Sequence, residues 1–322
     1  MKRILSVLSI ALLLISCGND DENNFQQVPP RLLSEVEPEN RQEIIAFLKT
    51  HFYNYEEFQT PPADFDFKIR IDTIAGDNTD KTPLIQQVDS AIINVSSFEF
   101  ALSDGEEDIQ HQYYYLNARQ GIQEKDNPSV ADSVFVRYEG KLLNGTSFDG
   151  STTSPIWFDL ARIQAPLQGF RGFSEGMVNF KPGGVPTINP DGTFAVEGYG
   201  VGMMIFPSGL GGFNSATGGI PQYSPLIFEI DLFTINVTDH DGDGIPSIQE
   251  DLNGNNFLFD DNTDEDEERA AGFPLSVDFL DADDDDDGTL TRDEIIINSD
   301  GTITFPDTDG DGIPDYRDQD NS

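Results

Sequence analysis

The sequence predicts an α+β protein with a long acidic extension, and three observations lead there. Period-two apolar runs recur between residues 66 and 235, one of them closed by an Asn-Gly turn. A single 3.6-period run, carried by Ile44, Ile45, Phe47, Leu48 and Phe52, precedes them. From Asp239 the composition changes abruptly: residues 239–322 hold 28 acids, three arginines and no lysine, and so carry −25 of the formal net charge of −41. For 322 residues, two domains and an added segment are expected, and a hydrophobic fraction of 37 % fits a core diluted by a polar stretch. So much negative charge argues against nucleic acid and anionic membrane surfaces as partners, and favours cations.

The chain opens on "MKRILSVLSIALLLISC": Lys2 and Arg3, an apolar run from Ile4 to Ile15, then Ser16-Cys17. A charged start, a short apolar stretch and a small residue before the cut form a signal peptide over 1–17. The run is shorter than the ~20 residues that a membrane-crossing helix needs. Leu14-Ile15-Ser16-Cys17 resembles a bacterial lipobox. That resemblance implies a lipidated Cys17 as the mature N-terminus. It also implies anchorage at the outer membrane or cell surface of a Gram-negative bacterium, with the periplasmic side as the alternative. Gly18-Asn19-Asp20-Asp21-Glu22 resembles the acidic export tether of surface lipoproteins. Cys17 is the only cysteine, so no intramolecular disulfide can form.

Residues 18–35, with Pro29-Pro30, read as a flexible tether. Pro38-Glu39-Asn40 is expected to open the helix, with acids early in the run. After Pro61-Pro62 the period changes to two: "DFKIRIDTI", "SAIINVSSFEFAL" and "HQYYYLNARQG" alternate as strands do. Residues 36–122 are therefore expected to form a small α+β region.

The stretch "VRYEGKLLNGTSFDGS" (136–151) sets Val136, Tyr138 and Gly140 on one face and turns at Asn144-Gly145. The second strand then starts with a large aromatic and an acid, Phe148-Asp149. Three further stretches follow in order: "GFRGFSEGM" (169–177), "FPSG" (206–209) and "GGIPQYSPLIFEIDL" (218–232). With these four signatures, residues 123–237 resemble an FKBP-type peptidyl-prolyl cis-trans isomerase. The resemblance implies a bent antiparallel sheet around a short helix that starts near Gly172 and points Phe173 and Met177 inward. It implies a proline pocket lined by Tyr138, Phe148, Asp149, Ile156, Phe170, Phe173, Ile220 and Phe228. In it Phe228 and Tyr138 are walls, Phe173 is the floor, and the Ile220 backbone N–H holds the substrate carbonyl. The implied partners are proline-containing polypeptides, and no cofactor serves catalysis.

Such chemistry needs no nucleophile. The barrier to peptide-bond rotation, about 18–20 kcal/mol, comes from resonance. The twisted state has lost that resonance, and a dry apolar pocket binds it better than the planar one. Three positions depart from the family pattern. Gly212 stands where a tyrosine follows the "PSGL" segment, Phe173 where tryptophan is common, and Gly169 where an aliphatic residue is usual. Val185–Gly202 is longer than the family's turn, with Asn189-Pro190-Asp191-Gly192 as an added hairpin. Two expectations stay open: an isomerase, or a module that grips proline segments without turnover.

The acids of 239–322 are spaced rather than smeared. "DHDGDGIPSIQE" sets Asp239, Asp241 and Asp243 at positions 1, 3 and 5, Gly244 at 6 and Glu250 at 12. "DDDDDGTLTRDE" repeats this with Asp283, Asp285, Asp287, Gly288 and Glu294. "DTDGDGIPDYRD" repeats it with Asp307, Asp309, Asp311, Gly312, Asp315 and Asp318. Asp251, Asn253 and Asn255 begin a degraded fourth copy. Hard carboxylate oxygens on alternate residues with a glycine at 6 are a calcium-loop pattern. "DGDGIPD" resembles thrombospondin type 3 repeats, which implies a thin apolar seam wrapped around a string of structural calcium ions.

Overall fold

The computed structural model describes residues 29–190 and 194–320. The leader of 1–17, Cys17, most of the 18–35 tether, and Asp191-Gly192 of the added hairpin lie outside the described residues.

One helix and six strands frame the molecule. Helix α1 is Leu33–Thr50; the strands are β1 Asp89–Val95, β2 Ile109–Arg119, β3 Ser133–Leu142, β4 Ser147–Asp159, β5 Gly200–Phe206 and β6 Leu226–Asn236. They form one antiparallel sheet in the order β1-β2-β5-β6-β3-β4. Alternation decides the faces: Val134, Val136, Tyr138 and Gly140 of β3 are buried while the residues between them are not. Strand β5 is buried at all seven positions because both its faces are covered. On one side Ile44, Phe47 and Leu48 of α1 pack on Met203, Ile205 and Ile227. On the other lies the short helix α3, Arg171–Met177, which follows α2, Leu160–Ile163.

The helix starts five residues before the expected Pro38 boundary. Leu33 and Val36 are fully buried and extend the apolar stripe back through Asn40 and Ile44. This burial outweighs the backbone bond that Pro38 cannot make. Phe52 has left the helix for a short strand, His51–Tyr53, paired with Ile71–Thr73, the only strand in the "DFKIRIDTI" stretch. Residues 36–122 are also not a separate region from 123–237, since β1 and β2 complete the shared sheet. Nor is 239–322 a free-standing extension. Leu258 and Phe279 bury against Val130, Ala131 and Ala161, and Arg31–Ser322 clusters as one unit. Among the described residues no helix is long and apolar enough to cross a membrane.

Helix α1 also fixes the loops that edge the concave side. Asn40 is buried and bridges two of them: its Oδ1 accepts from the Ser208 N–H at 2.8 Å, and its Nδ2 donates to the Tyr223 carbonyl at 2.9 Å.

Candidate functional site: an aromatic cavity and a set of acidic loops

A cavity of about 400 Å³ opens between the sheet and α3. Phe228 on β6 is its hub. Its ring lies 6.2 Å from Tyr138, 6.1 Å from Phe170, 5.3 Å from Phe173, 5.6 Å from Phe148 and 5.7 Å from Phe206, centroid to centroid. Such contacts contribute about 0.5–1.5 kcal/mol each beyond burial, so five of them fix the wall in one place. Tyr138, Asp149, Phe170, Phe173 and Phe228 all line the cavity.

Phe148 does not line it; the ring lies over Gly140 and supports Phe228 from outside the cavity. A Cβ on Gly140 would sit 2.6 Å from the Phe148 ring and 3.0 Å from Phe228, so only glycine lets the three meet. Two further expectations are corrected. Ile156 sits 36 % exposed on the edge strand β4, past an irregularity in its pairing with β3, and is no part of the lining. The Ile220 N–H donates to the Thr217 carbonyl at 2.8 Å, so its own turn uses the donor assigned to substrate. Sequence reasoning missed Phe158, whose ring is 5.0 Å from Tyr138 and 5.2 Å from Phe173. It lies two residues beyond Ile156 on the same strand, where the resemblance places Ile156 in the lining. The 163–169 loop was also missed; it forms the outer wall and has no periodic signal. Gly211 and Gly212 form part of the lining opposite.

Tyr138 and Asp149, the polar pair at the rim of the cavity, are satisfied by the chain. Tyr138 donates its hydroxyl to Asp149 Oδ2 at 2.7 Å, and the Gly150 N–H donates to Asp149 Oδ1 at 2.9 Å. Burial, then the bond to Asp149, holds the Tyr138 hydroxyl well above the usual phenol range, so it stays a donor.

The acidic loops differ in kind. Their sixth-position glycines share one left-handed turn: φ is +105° at Gly244, +97° at Gly288 and +102° at Gly312. Asp243, Asp287 and Asp311 each accept from the N–H two residues on. Three trios bring ligand atoms within 4.8 Å of one another: Asp239–Asp241–Asp243, Asp283–Asp285–Asp287 and Asp307–Asp309–Asp311. The twelfth-position Glu250 turns instead to Asp241 and to Asp284, a residue outside the linear register. Glu294 is repelled by Asp285, Asp287 and Asp283, and burial with that repulsion pushes it up to about 7. Asp315 faces Thr308, accepting from its N–H and hydroxyl, so it stands apart from the third trio; Asp318 accepts from the Asp320 N–H.

Among the described residues, fourteen buried side-chain atoms lack a hydrogen-bond partner, and thirteen are carboxylate oxygens between Asp241 and Glu294. Each buried, uncompensated ion costs several kcal/mol, so protein donors alone do not satisfy this set. Burial first, then repulsion from Asp241 and Asp243, pushes Glu250 up to about 10; burial and Asp278 push Asp284 up to about 9. Clustered hard oxygens with no donor are what an oxygen-loving divalent cation would take.

A family model for FKBP-type peptidyl-prolyl cis-trans isomerase matches residues 124–233. The chain is 32 % identical over 112 residues to a probable FKBP-type peptidyl-prolyl cis-trans isomerase FkpA of Neisseria meningitidis, covering 34 % of this chain and 38 % of that one. It is 30 % identical over 126 residues to the peptidyl-prolyl cis-trans isomerase Mip of Coxiella burnetii, covering 38 % of this chain and 44 % of that one. The chain thus spans well under half the length of these two relatives. It spans 84 % of FK506-binding protein 1 of Dictyostelium discoideum, with 32 % identity over 111 residues and 33 % of this chain covered. On that coverage, and with Tyr138, Phe158, Phe170, Phe173 and Phe228 of the cavity inside the matched segment, the chain belongs to the FKBP-type peptidyl-prolyl cis-trans isomerase family.

Proposed function

We propose that this protein is a peptidyl-prolyl cis-trans isomerase acting on proline-containing chains outside the cytosol, held to a membrane by a lipidated Cys17 and stiffened by calcium in its acidic loops. The observation that carries the isomerase reading is the cavity: five rings converge on Phe228, and the Asp149 carboxylate at the rim is already satisfied. A proline ring enters the cavity against the Tyr138 and Phe228 walls, over Phe173. The apolar walls strip water from the amide and favour the twisted, less charge-separated state. Uncatalysed, that rotation takes tens to hundreds of seconds.

Calcium is supported by the unpartnered oxygens of Asp241, Asp243, Glu250 and Asp284 in the first cluster and of Asp283, Asp285, Asp287 and Glu294 in the second. When bound, the ion supplies the positive charge these oxygens lack, and the glycine turns hold them at the surface of the site.

Gly212 favours a second reading, a module that grips proline segments without turnover: it offers the cavity no hydroxyl at the position where the family pattern has a tyrosine. Exchange spectroscopy on an Ala-Phe-Pro-Phe peptide decides between them. Catalytic amounts of the protein should raise the cis–trans rate well above buffer. Binding without acceleration would leave the gripping module. For the anchor, Cys17→Ser should move the protein out of the detergent phase, because stable attachment needs acyl chains there; retention at wild-type levels would refute the anchor.

A further inference from the structure

Helix α3 carries Phe173, and Phe170 caps its start, yet it is only seven residues long. A helix that short has few backbone bonds of its own, so its position depends on side-chain ties. The main tie is Arg171, which is 7 % exposed. Its guanidinium donates to the Asn94 carbonyl at 3.1 Å, to Glu99 Oε1 at 2.9 Å and to Glu175 Oε1 at 3.3 Å. The remaining arm crosses into the acidic tail. Nη2 donates to the Asn255 carbonyl at 3.0 Å, and the guanidinium lies 4.9 Å over the ring of Phe257, which is itself buried. The tail also reaches the helix a second time: Asn256 Nδ2 donates to Glu175 Oε2 at 3.2 Å.

The tail segment is shaped for this. Asp251 accepts from the Asn255 and Asn256 N–H groups, and Asn253 accepts from Asn255 as well. Asn256 sits at φ +65°, the left-handed region that asparagine tolerates better than most residues. The turn directs the Asn255 carbonyl and the Asn256 amide together toward the Arg171–Glu175 pair. Arg171 and Glu99 in turn border the cavity that Phe170 and Phe173 line.

We propose that Asn255–Phe257 of the tail is a working part of the pocket: it holds Arg171 and Glu175, and through these positioning residues it sets the helix that presents Phe170 and Phe173. One guanidinium shared by two buried carboxylates is an arrangement in which loss of one partner leaves a charge uncompensated. The carbonyl that Asn255 offers to Arg171 and the amide that Asn256 donates to Glu175 are therefore part of what keeps the wall in place, and the tail is not merely attached to the isomerase segment. The inference rests on the isomerase reading for its effect on turnover, but not for its effect on the rings.

The test exchanges donor and acceptor across the contact in the full chain. Asn256→Asp sets a carboxylate against Glu175. It should lower kcat/KM on the Ala-Phe-Pro-Phe peptide about tenfold, the size expected for one bond to a charged group, and shift the aromatic resonances of Phe170 and Phe173. Glu175→Gln added to Asn256→Asp restores one donor, one acceptor and the original charge, and should recover kcat/KM to within about threefold of wild type. Recovery is a readout that nonspecific destabilisation does not produce. Asn256→Gly keeps the left-handed turn and removes only the amide, so it covers the case in which Asn256→Asp fails to fold; it should give a smaller loss with the same resonance shifts. Wild-type kcat/KM and unshifted resonances in Asn256→Asp or Asn256→Gly, or a double variant no better than the single one, would overturn the proposal. An inactive wild type would defeat the isomerase reading alone, and the ring resonances would still decide the positioning.

Discussion

Asp149 and Glu250 are both acids in folded sites, and the chain treats them differently. Asp149 has a hydroxyl and a backbone N–H supplied by residues within its own hairpin, Tyr138 and Gly150. Glu250 is 1 % exposed and has no donor for either oxygen. The pocket is therefore assembled from the chain's own atoms, while the loops bring carboxylates together and leave them unpaired. The difference teaches that burial alone does not define a finished site. What matters is whether each buried polar atom has a partner, and thirteen carboxylate oxygens of the described loops have none within the chain.

The largest expected effect breaks the pocket side of this comparison. Phe228→Ala removes the ring on which five others converge. Core Phe→Ala changes cost about 3–5 kcal/mol, so denaturant unfolding should show a loss of that order and the isomerisation rate should fall to near buffer. Retention of wild-type turnover by a folded Phe228→Ala would remove the aromatic wall from the mechanism.

A pH series in chelator sharpens the loop side. The folded loops hold Asp243 up to about 6, Asp241 up to about 7, Asp284 up to about 9 and Glu250 up to about 10, in each case through burial first. These carboxyls bind protons more tightly folded than unfolded. Protons therefore stabilise the metal-free loops, and that stability is present in the ordinary carboxylate range and lost as pH rises toward 10. The thermal midpoint of the loops should fall across this window in chelator. Saturating calcium should remove most of the slope, because the cation replaces the protons. A midpoint that rises with pH in chelator would contradict the reading.

The smallest effect concerns the rim. Asp149→Ala leaves the Tyr138 hydroxyl without its acceptor. A lost hydrogen bond to a charged group is worth about 1.5–3 kcal/mol, part of which water returns at this open edge. A drop in kcat/KM of about threefold to tenfold, with little loss of stability, is expected from steady-state kinetics on the same peptide.

How much of this was legible in the sequence follows from how far apart the cooperating residues lie. Tyr138, Asp149, Phe170, Phe173 and Phe228 sit in short ordered motifs, and they meet at the cavity. The glycine turns at 244, 288 and 312 were legible for the same reason, since each is set within a few residues. Asp284 was not legible, because its partners Asp241 and Glu250 come from another loop and no spacing records that meeting. The Ile220 N–H was misassigned because a turn four residues long, closed on Thr217, was invisible to motif order. Helix α1 was cut short because Pro38 was read as the residue that opens the helix, whereas burial of Leu33 and Val36 is a long-range gain. The contact between Arg171 and Asn255 spans 84 residues and could be seen only in three dimensions.

The most direct test of the contrast is calorimetric titration of the full chain with calcium, repeated with magnesium, while binding of the proline peptide is followed at each end point. The account predicts saturable calcium binding at two or more sites and a raised thermal midpoint. It predicts a much weaker response to magnesium, which keeps more of its own water, and loss of at least one site in Glu250→Ala. Absence of calcium binding at millimolar concentration, or identical curves for the two metals, would contradict it and leave the thirteen unpartnered carboxylate oxygens without a partner.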